Sequence, residues 1–244
     1  MNNEVYNFNI GNISIPYEIM INDKLKHVKV SIGIDGMKVS KPKRIKFDEV
    51  ERLLNLKVNW IYKHYMEFQS MKVEEYKREW QSGERILYKG KNYNIRIFTY
   101  DGEQTLVNFK GKKFEVYVNK DLTDEQKKKS VELQFKKWFI RMAKETVDER
   151  LEFYSNNIGL TYNKVTIRAQ KTRWGSCSKK GNLNFNWKLI MAPQWVIDYV
   201  VIHELCHLRY LNHSKEYWNM VGLHMPEYKK AQQWLKKNGM GLVI

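Results

Sequence analysis

The chain has 244 residues, of which 43% are hydrophobic, and a net charge of +16. This length and apolar content allow one well-packed core, or a main domain with a smaller one. No basic N-terminal segment leads into an apolar stretch, and no apolar run approaches the about 18 residues of a membrane span, so we expect a cytoplasmic protein that is neither secreted nor inserted in a membrane.

The first 45 residues have the pattern of β structure. Val28–Ile34 alternates in strand fashion, and the turn signal Asp35-Gly36 follows it, which predicts a hairpin or a small sheet. The next segment predicts a helix that continues towards Trp80, because apolar residues recur there at helical spacing: Val50, Leu53, Leu54, Trp60 and Ile61.

A second β segment and a long helix follow. The β segment runs from Gly83 to Val118, and its turn signals are Gly90-Lys91, Asp101-Gly102 and Gly111-Lys112. Thr123 and Gln126 form a capping-box pattern, so a helix begins there and runs to about Asn156, before the stop signals Asn157 and Gly159. Its apolar stripe is read as core: Val131, Phe135, Trp138, Phe139 and Met142.

Two further strands are predicted at Val165–Ala169 and Leu183–Met191, on either side of Trp174-Gly175-Ser176. A strand with a free edge next to a catalytic centre can bind an extended peptide through backbone hydrogen bonds. Gly175 would allow close approach of the backbone, since it has no side chain. The alternative is an ordinary hairpin with a bulge.

The most specific motif is His203-Glu204-Leu205-Cys206-His207. Two histidines four apart on a helix lie on one face, so both can bind one metal ion, and the adjacent carboxylate can take a proton from a metal-activated water. Pro193 suits a first helical turn, and the apolar run Ile197–Ile202 leads into the motif without a helix breaker. Buried polar groups on an apolar helix need a partner, and a metal would supply it.

His213 is the predicted third ligand, because three of the six histidines fall within eleven residues. In the metzincin pattern a glycine lies midway between the second and third histidines, and here Tyr210 takes that position. Asn212 can make the turn instead, since asparagine tolerates left-handed backbone. An acidic ligand from the following helix is the alternative, with Glu216 and Glu227 as candidates.

The C-terminal part of the chain resembles the YgjP-like metal-dependent hydrolases, which are related to SprT-like proteases and usually classed as metallopeptidases. The resemblance is strong over residues 165–240, whereas the remainder matches only in general layout. It rests on the segments Arg173–Ser178, Leu183–Trp187, Ala192-Pro193, Tyr199–His207, Asn212–Ser214, Tyr217-Trp218 and Met225–Tyr228.

The resemblance implies that His203, His207 and His213 bind Zn²⁺ and that Glu204 is the general base. Hydrolysis also needs a positive or hydrogen-bonding group where the oxyanion develops. Arg173 is the preferred candidate for that role. The others are Tyr210, Tyr217 and His224.

We therefore predict an α+β fold in which a zincin-like domain, residues 121–244, places the motif helix beside a small sheet, preceded by a β-rich N-terminal region, residues 1–120. The predicted function is a zinc metallopeptidase acting on peptide or protein. The alternatives are a metal-dependent nucleoside triphosphate pyrophosphatase, a DNA-associated protease, and a nucleic-acid-associated module with a structural metal. The basic charge keeps weak nucleic-acid association open, although no glycine-rich phosphate loop is present and lysine outnumbers arginine.

Overall fold

The computed structural model describes residues 5–11, 13–33, 36–71, 78–170 and 173–244. The chain forms two compact units, Met1–Lys77 and Arg78–Ile244. No helix among the described residues is both long and apolar enough to cross a membrane. The α+β class predicted from the sequence is confirmed, as is a β-rich N-terminal region.

The first unit is a four-stranded sheet with two helices. Its elements are β1 (Val5–Ile10), β2 (Ile13–Ile21), β3 (Lys29–Gly33), β4 (Gly36–Lys41), α1 (Phe47–Leu56) and α2 (Val58–Met71). The strand order is β1-β2-β4-β3, with β2 and β4 parallel and the other neighbours antiparallel. Asp35 of the predicted turn lies outside the described residues, whereas Gly36 begins β4 with a φ of +101°.

The predicted helix towards Trp80 is divided in the structure. Lys57 separates α1 from α2, and residues 72–77 lie outside the described part of the chain. Trp80 is not helical. It has a φ of +49°, and its ring stacks on Phe135, with 4.9 Å between centroids, in the core of the second unit. The apolar pattern extends past the helix because Trp80 packs in a different core.

The second unit contains two sheets and four α-helices. Its elements are β5 (Arg85–Tyr88), β6 (Lys91–Tyr100), β7 (Leu106–Lys110), β8 (Lys113–Asn119), α3 (Asp124–Ile158), β9 (Lys164–Arg168), β10 (Gly175–Cys177), β11 (Asn182–Asn186), α4 (Gln194–Cys206), α5 (Lys215–His224) and α6 (Tyr228–Asn238), with short 3-10 helices at Trp187–Met191 and Gly239–Gly241. The sheet orders are β5-β6-β8-β7 and β10-β11-β9.

The compact units do not divide at the predicted boundary between residues 120 and 121. The inward side chains of the β5–β8 sheet, such as Ile95, Phe114 and Val116, share one apolar core with α3 and α4. A sheet that is half of one core cannot separate from the helix that covers it without exposing that surface to water. Residues 78–120 therefore belong to the same packing unit as the C-terminal region.

The long helix begins where predicted and ends at Ile158, two residues beyond the predicted end near Asn156. The Thr123 hydroxyl accepts a hydrogen bond from the Gln126 amide, and the Gln126 side chain accepts one from the Thr123 amide, so the capping box is complete. Gly159 ends the helix in the left-handed region, with a φ of +72°. All five predicted stripe residues lie in or against the core that this helix shares with the sheets and α4.

The predicted strand Leu183–Met191 is shorter in the structure. β11 ends at Asn186, where the side-chain oxygen of Asn186 accepts a hydrogen bond from the Lys188 amide at 3.1 Å. This contact caps the 3-10 helix Trp187–Met191, whose apolar side chains are buried. An apolar run of this length does not distinguish a strand from a buried helical turn.

An ion pair joins the long helix to the motif helix. Arg150 on α3 donates through Nε to Asp198 Oδ1 at 2.7 Å and through Nη2 to Oδ2 at 3.2 Å, and Gln194 donates to the same carboxylate at 3.0 Å. Two hydrogen bonds between the guanidinium and the carboxylate fix the relative orientation of these side chains as well as the distance between them. The ion pair therefore constrains how α4 packs against α3.

The turn between β5 and β6 contacts the start of the motif helix. The amides of Lys89 and Gly90 donate to the carbonyls of Ile190 and Met191 at 3.0 and 2.8 Å. Gly90 has a φ of +77°, and a Cβ there would lie 2.7 Å from Cγ of Pro193, the residue that precedes α4. Both the backbone conformation and the space require glycine at this position.

We predict that Gly90→Ala lowers the free energy of unfolding by about 2–4 kcal/mol, the sum of left-handed backbone strain and overpacking against Pro193. Gly111→Ala is the matched control, because Gly111 has a φ of +57° and open space around it. The control should cost only the strain, about 1–2 kcal/mol. Urea denaturation measures both, and equal losses would show that the contact with Pro193 contributes nothing.

Candidate metal centre

The motif helix is apolar on nearly all sides. Nine of its side chains are buried. Eight of them are largely apolar, including Tyr199 and Cys206, and the ninth is the carboxylate of Glu204. The helix begins after Pro193 and ends at Cys206, so His203 and Glu204 lie in its last turn and His207 is its C-cap. His203 and His207 are therefore partly exposed at the helix end, whereas Glu204 between them is buried.

The structure brings His203, His207 and His213 together, and we call these three residues the histidine cluster. Each offers one ligand atom, and these atoms all lie within 4.8 Å of one another. Nε2 of His203 and Nε2 of His213 are 3.3 Å apart. A tetrahedral zinc ion with Zn–N distances of about 2.0–2.1 Å places two ligand nitrogens about 3.3–3.4 Å apart, so the observed spacing fits such an ion.

The outer ring nitrogens of two of these histidines have partners. The Tyr199 hydroxyl lies 3.2 Å from Nδ1 of His203, and Nδ1 of His207 donates to the Tyr210 carbonyl at 2.9 Å. Such contacts fix the orientation of a ligating imidazole and leave Nε2 directed at the metal. Neither contact was predicted from the sequence, although Tyr199 lies one helical turn before His203.

Aromatic side chains of α5 pack against the histidine cluster. Tyr217 on α5 is fully buried, stacks on His207 with 4.5 Å between centroids, and donates its hydroxyl to the His203 carbonyl at 3.1 Å. Trp218 stacks on His213 with 5.4 Å between centroids. Tyr217, a candidate oxyanion group in the sequence, is therefore a packing residue whose hydroxyl is already bound.

Burial favours the neutral form of two of the imidazoles, those of His203 and His207. It lowers the pKa of His203 to about 3, with His207 and His213 acting in the same direction, and it also lowers the pKa of His207. A neutral imidazole is the form that binds a metal. The environment thus favours the binding form before any ion arrives.

The Glu204 carboxylate is buried and closely packed. It is 4% exposed, and its Oε2 has no hydrogen-bond partner among the described residues. Burial raises its pKa to about 8, while the positive charge of Arg173 acts in the opposite direction. A Cβ on Gly175 would lie 2.5 Å from Glu204 Oε1, so the strand β10 can pass the carboxylate only because residue 175 is glycine.

The cluster opens into a cleft of about 610 Å³. Strand β10 and the residues before it form one wall, and α4, α5's preceding loop and α6 form the others. The lining includes the histidine cluster, Glu204, Arg173 and Trp174. Cys177 also lines it, and burial raises the pKa of this free thiol to about 11.

The structure shows where the other candidate oxyanion groups and metal ligands lie. Arg173 lies in the cleft near Glu204, whereas Tyr210 contributes a carbonyl to His207 and His224 is not among the lining residues. Of the alternative acidic ligands, Glu227 pairs with Lys230, and neither Glu216 nor Glu227 joins the cluster of potential metal ligands found in the described residues.

Comparisons with known proteins find one family model and similar solved structures. Residues 26–238 match the family model described as YgjP-like, metallopeptidase domain. The chain is similar to the solved metallopeptidase zymogen abylysin of Pyrococcus abyssi (26% identity, 37% of this chain and 93% of that one, TM-score 0.35) and to the zymogen jannalysin of Methanocaldococcus jannaschii (23% identity, 39% and 94%, TM-score 0.32). No curated protein matches.

The family model spans most of the chain, including both the cluster and the strand beside it. A metallopeptidase domain is a metal-dependent hydrolase, and the residue types of the cleft are those that such an enzyme needs. The chain therefore belongs to the YgjP-like family through its metallopeptidase domain.

Proposed function

We propose that this protein is a zinc-dependent metallopeptidase in which the histidine cluster holds the metal and Glu204 is the general base. One observation carries the proposal. Three imidazoles converge beside a buried carboxylate at the base of one open cleft. Three protein ligands leave a fourth position for water or substrate, which is the arrangement of catalytic rather than structural zinc sites.

A bound divalent metal supplies Lewis-acid activation of a water molecule and of the carbonyl to be attacked. Glu204 accepts the proton of the attacking water and returns it to the leaving amine. Burial makes this carboxylate more basic, so it binds the transferred proton more strongly. Tyr199 and the Tyr210 carbonyl hold the imidazoles of His203 and His207 in place.

The position of strand β10 favours a peptide as the substrate. It is an edge strand, since the sheet order is β10-β11-β9, and it lines the cleft through Gly175, Ser176 and Cys177. Its free edge offers backbone groups to an extended chain, which would then pass close to Glu204. Arg173, immediately before this strand, is the proposed oxyanion-stabilising group.

A nucleotide substrate has less support in the cleft. Triphosphate recognition needs several cations or a phosphate-binding loop. Among the described residues that line the cleft, Arg173 is the only lysine or arginine. The net charge of +16 is therefore carried mostly outside it.

We predict that purified protein binds about one zinc ion per chain, and that the double variant His203→Ala, His207→Ala loses it, because a single remaining imidazole cannot hold the ion. Element analysis after dialysis measures the ratio. The control variant His27→Ala, His224→Ala removes two histidines outside the cluster and should keep the metal. A full equivalent of zinc in the first variant would refute the ligand assignment.

Glu204→Gln should retain the metal and lower kcat by about 10²–10⁴-fold, since an amide of the same size cannot accept the proton. Gly175→Ala should likewise retain the metal and lower kcat, because its Cβ would displace the Glu204 carboxylate. Gly241→Ala is the control, as a Cβ there meets nothing within 4 Å. Turnover at the wild-type rate in Glu204→Gln, measured on any accepted substrate, would leave Glu204 with a structural role only.

The proposed substrate class predicts cleavage of casein-like unfolded chains with loose sequence preference and a KM that changes little with salt, because backbone pairing is not screened as charge attraction is. The zinc-loaded protein is assayed in parallel on nucleoside triphosphates, with and without a chelator. Chelator-sensitive triphosphate hydrolysis without any cleavage of casein would contradict the peptidase proposal and leave the metal site intact.

A further inference from the structure

Among the described residues of the second unit, one face of the sheet β5-β6-β8-β7 packs in the core with α3, and the other face carries exposed side chains. Side chains alternate along β8, so that Phe114, Val116 and Val118 are buried against the core while the intervening residues face outward. The outward positions carry aromatic and basic side chains. We call this surface the aromatic-basic face, and it consists of Arg96, Phe98, Leu106, Lys110, Lys113 and Tyr117.

Strand register places these residues in rows across the sheet. Phe98 of β6 pairs with Tyr117 of β8, and Tyr117 pairs with Leu106 of β7. Two residues along the strands, Arg96 pairs with Glu115, and two residues beyond that Lys113 pairs with Lys110. The apolar row is thus followed first by a row in which Arg96 and Glu115 balance in charge, and then by a row with two lysines.

Two of the three residues in the apolar row are exposed, and Tyr117 is half-buried. Phe98 is 41% and Leu106 is 43% accessible, and the Phe98 ring stacks on Tyr117 with 5.4 Å between centroids and 25° between planes. An exposed aromatic ring on a sheet face can stack with a planar ligand. A Phe side chain exposed to this extent contributes little to the core.

The charge on this face is unbalanced. Lys113 forms an ion pair with Glu115 at 2.9 Å, and Lys113, Lys110 and Arg96 all act to lower the pKa of that carboxyl. Three cations therefore surround one carboxylate, which leaves two positive charges in excess. The surface suits an anionic ligand.

The first unit shows that the fold does not require such a face. Its sheet has the same strand order and directions, β1-β2-β4-β3, with a parallel central pair. The outward pairs of that central pair are Glu18 with Lys38 and Met20 with Ser40, and they contain neither an aromatic ring nor an excess of charge. The aromatic-basic face is a property of the second sheet's sequence.

We propose that the aromatic-basic face binds a single-stranded polynucleotide. Bases stack on exposed aromatic rings whatever their sequence, while lysine and arginine neutralise the phosphates. A duplex cannot use the rings, because its base faces are already stacked. An acidic protein segment would satisfy the charge but would leave the row of Phe98 and Tyr117 unused.

The proposed surface is separate from the hydrolytic cleft. The cleft is lined by residues between Arg173 and Leu235, and none of them belongs to the β5–β8 sheet. Polynucleotide binding and peptide hydrolysis can therefore be tested independently. The proposal adds a ligand to the protein rather than a step to its reaction.

The experiment measures fluorescence anisotropy of labelled oligouridylate and oligodeoxythymidylate of about 15 nucleotides, and of a duplex of equal length, with the full chain over a range of salt concentrations. We expect both single strands to bind more tightly than the duplex, with affinities that fall as salt rises. Equal affinity for duplex and single strands, or no binding of the single strands at low salt, would overturn the proposal.

Two variants separate stacking from charge. Phe98→Leu keeps an apolar side chain but removes the ring, and should weaken single-strand binding at least about fivefold without changing the salt slope. Arg96→Gln removes one phosphate contact, and should reduce the slope of log affinity against log salt by about 0.7. Phe98→Tyr keeps an aromatic ring and should preserve affinity.

Lys237→Gln, which removes a charge from the exposed end of α6, is the matched control and should bind as the wild type does. Circular dichroism melting shows whether each variant is folded at the assay temperature. Unchanged affinity in Phe98→Leu, or a loss in Lys237→Gln equal to that in Arg96→Gln, would show general adhesion to a basic protein and would refute a site on this face.

Discussion

The rest of the second unit depends on one constraint: a carboxylate and imidazoles must be held at the end of an apolar helix. Glu204 is buried, and its environment disfavours the charged form. Buried ionisable groups keep a fixed arrangement only when their surroundings are rigid. The surrounding layers supply that rigidity, with α3 bound to α4 through Arg150 and Asp198 and with the rings of α5 packed behind the histidine cluster.

The close packing of β10 against the Glu204 carboxylate also bears on substrate binding. Because Gly175 has no side chain, the backbone of β10 approaches Glu204 directly, and a peptide paired to the edge of this strand would lie next to the same carboxylate. The strand that would align the substrate is thus also the strand that limits where the Glu204 carboxylate can lie. Under the proposed mechanism, both peptide binding and proton transfer would depend on Gly175.

The same strand topology is used twice in the chain for different purposes. Both four-stranded sheets have a parallel central pair flanked by antiparallel strands, and both are followed by a helix. In the second unit the inward face joins the core that holds the motif helix, and the outward face carries the aromatic rings and cations. No repeat is evident in the sequence, because strand pairing depends on the alternation of apolar residues and tolerates many different side chains.

The sequence by itself determined the family, the α+β class, the start and end of α3 and the residues that converge in the cleft, since these follow from local spacing and capping. Their catalytic roles stay predictions. The tertiary structure alone decided that Trp80 packs with Phe135, that residues 78–120 share the core of the second unit, and that Tyr199 and the Tyr210 carbonyl orient the imidazoles. It also decided that Tyr217 is buried. The physical reason is that helical spacing and caps act within a few residues, whereas core membership and hydrogen-bond partners depend on contacts between segments far apart in the chain.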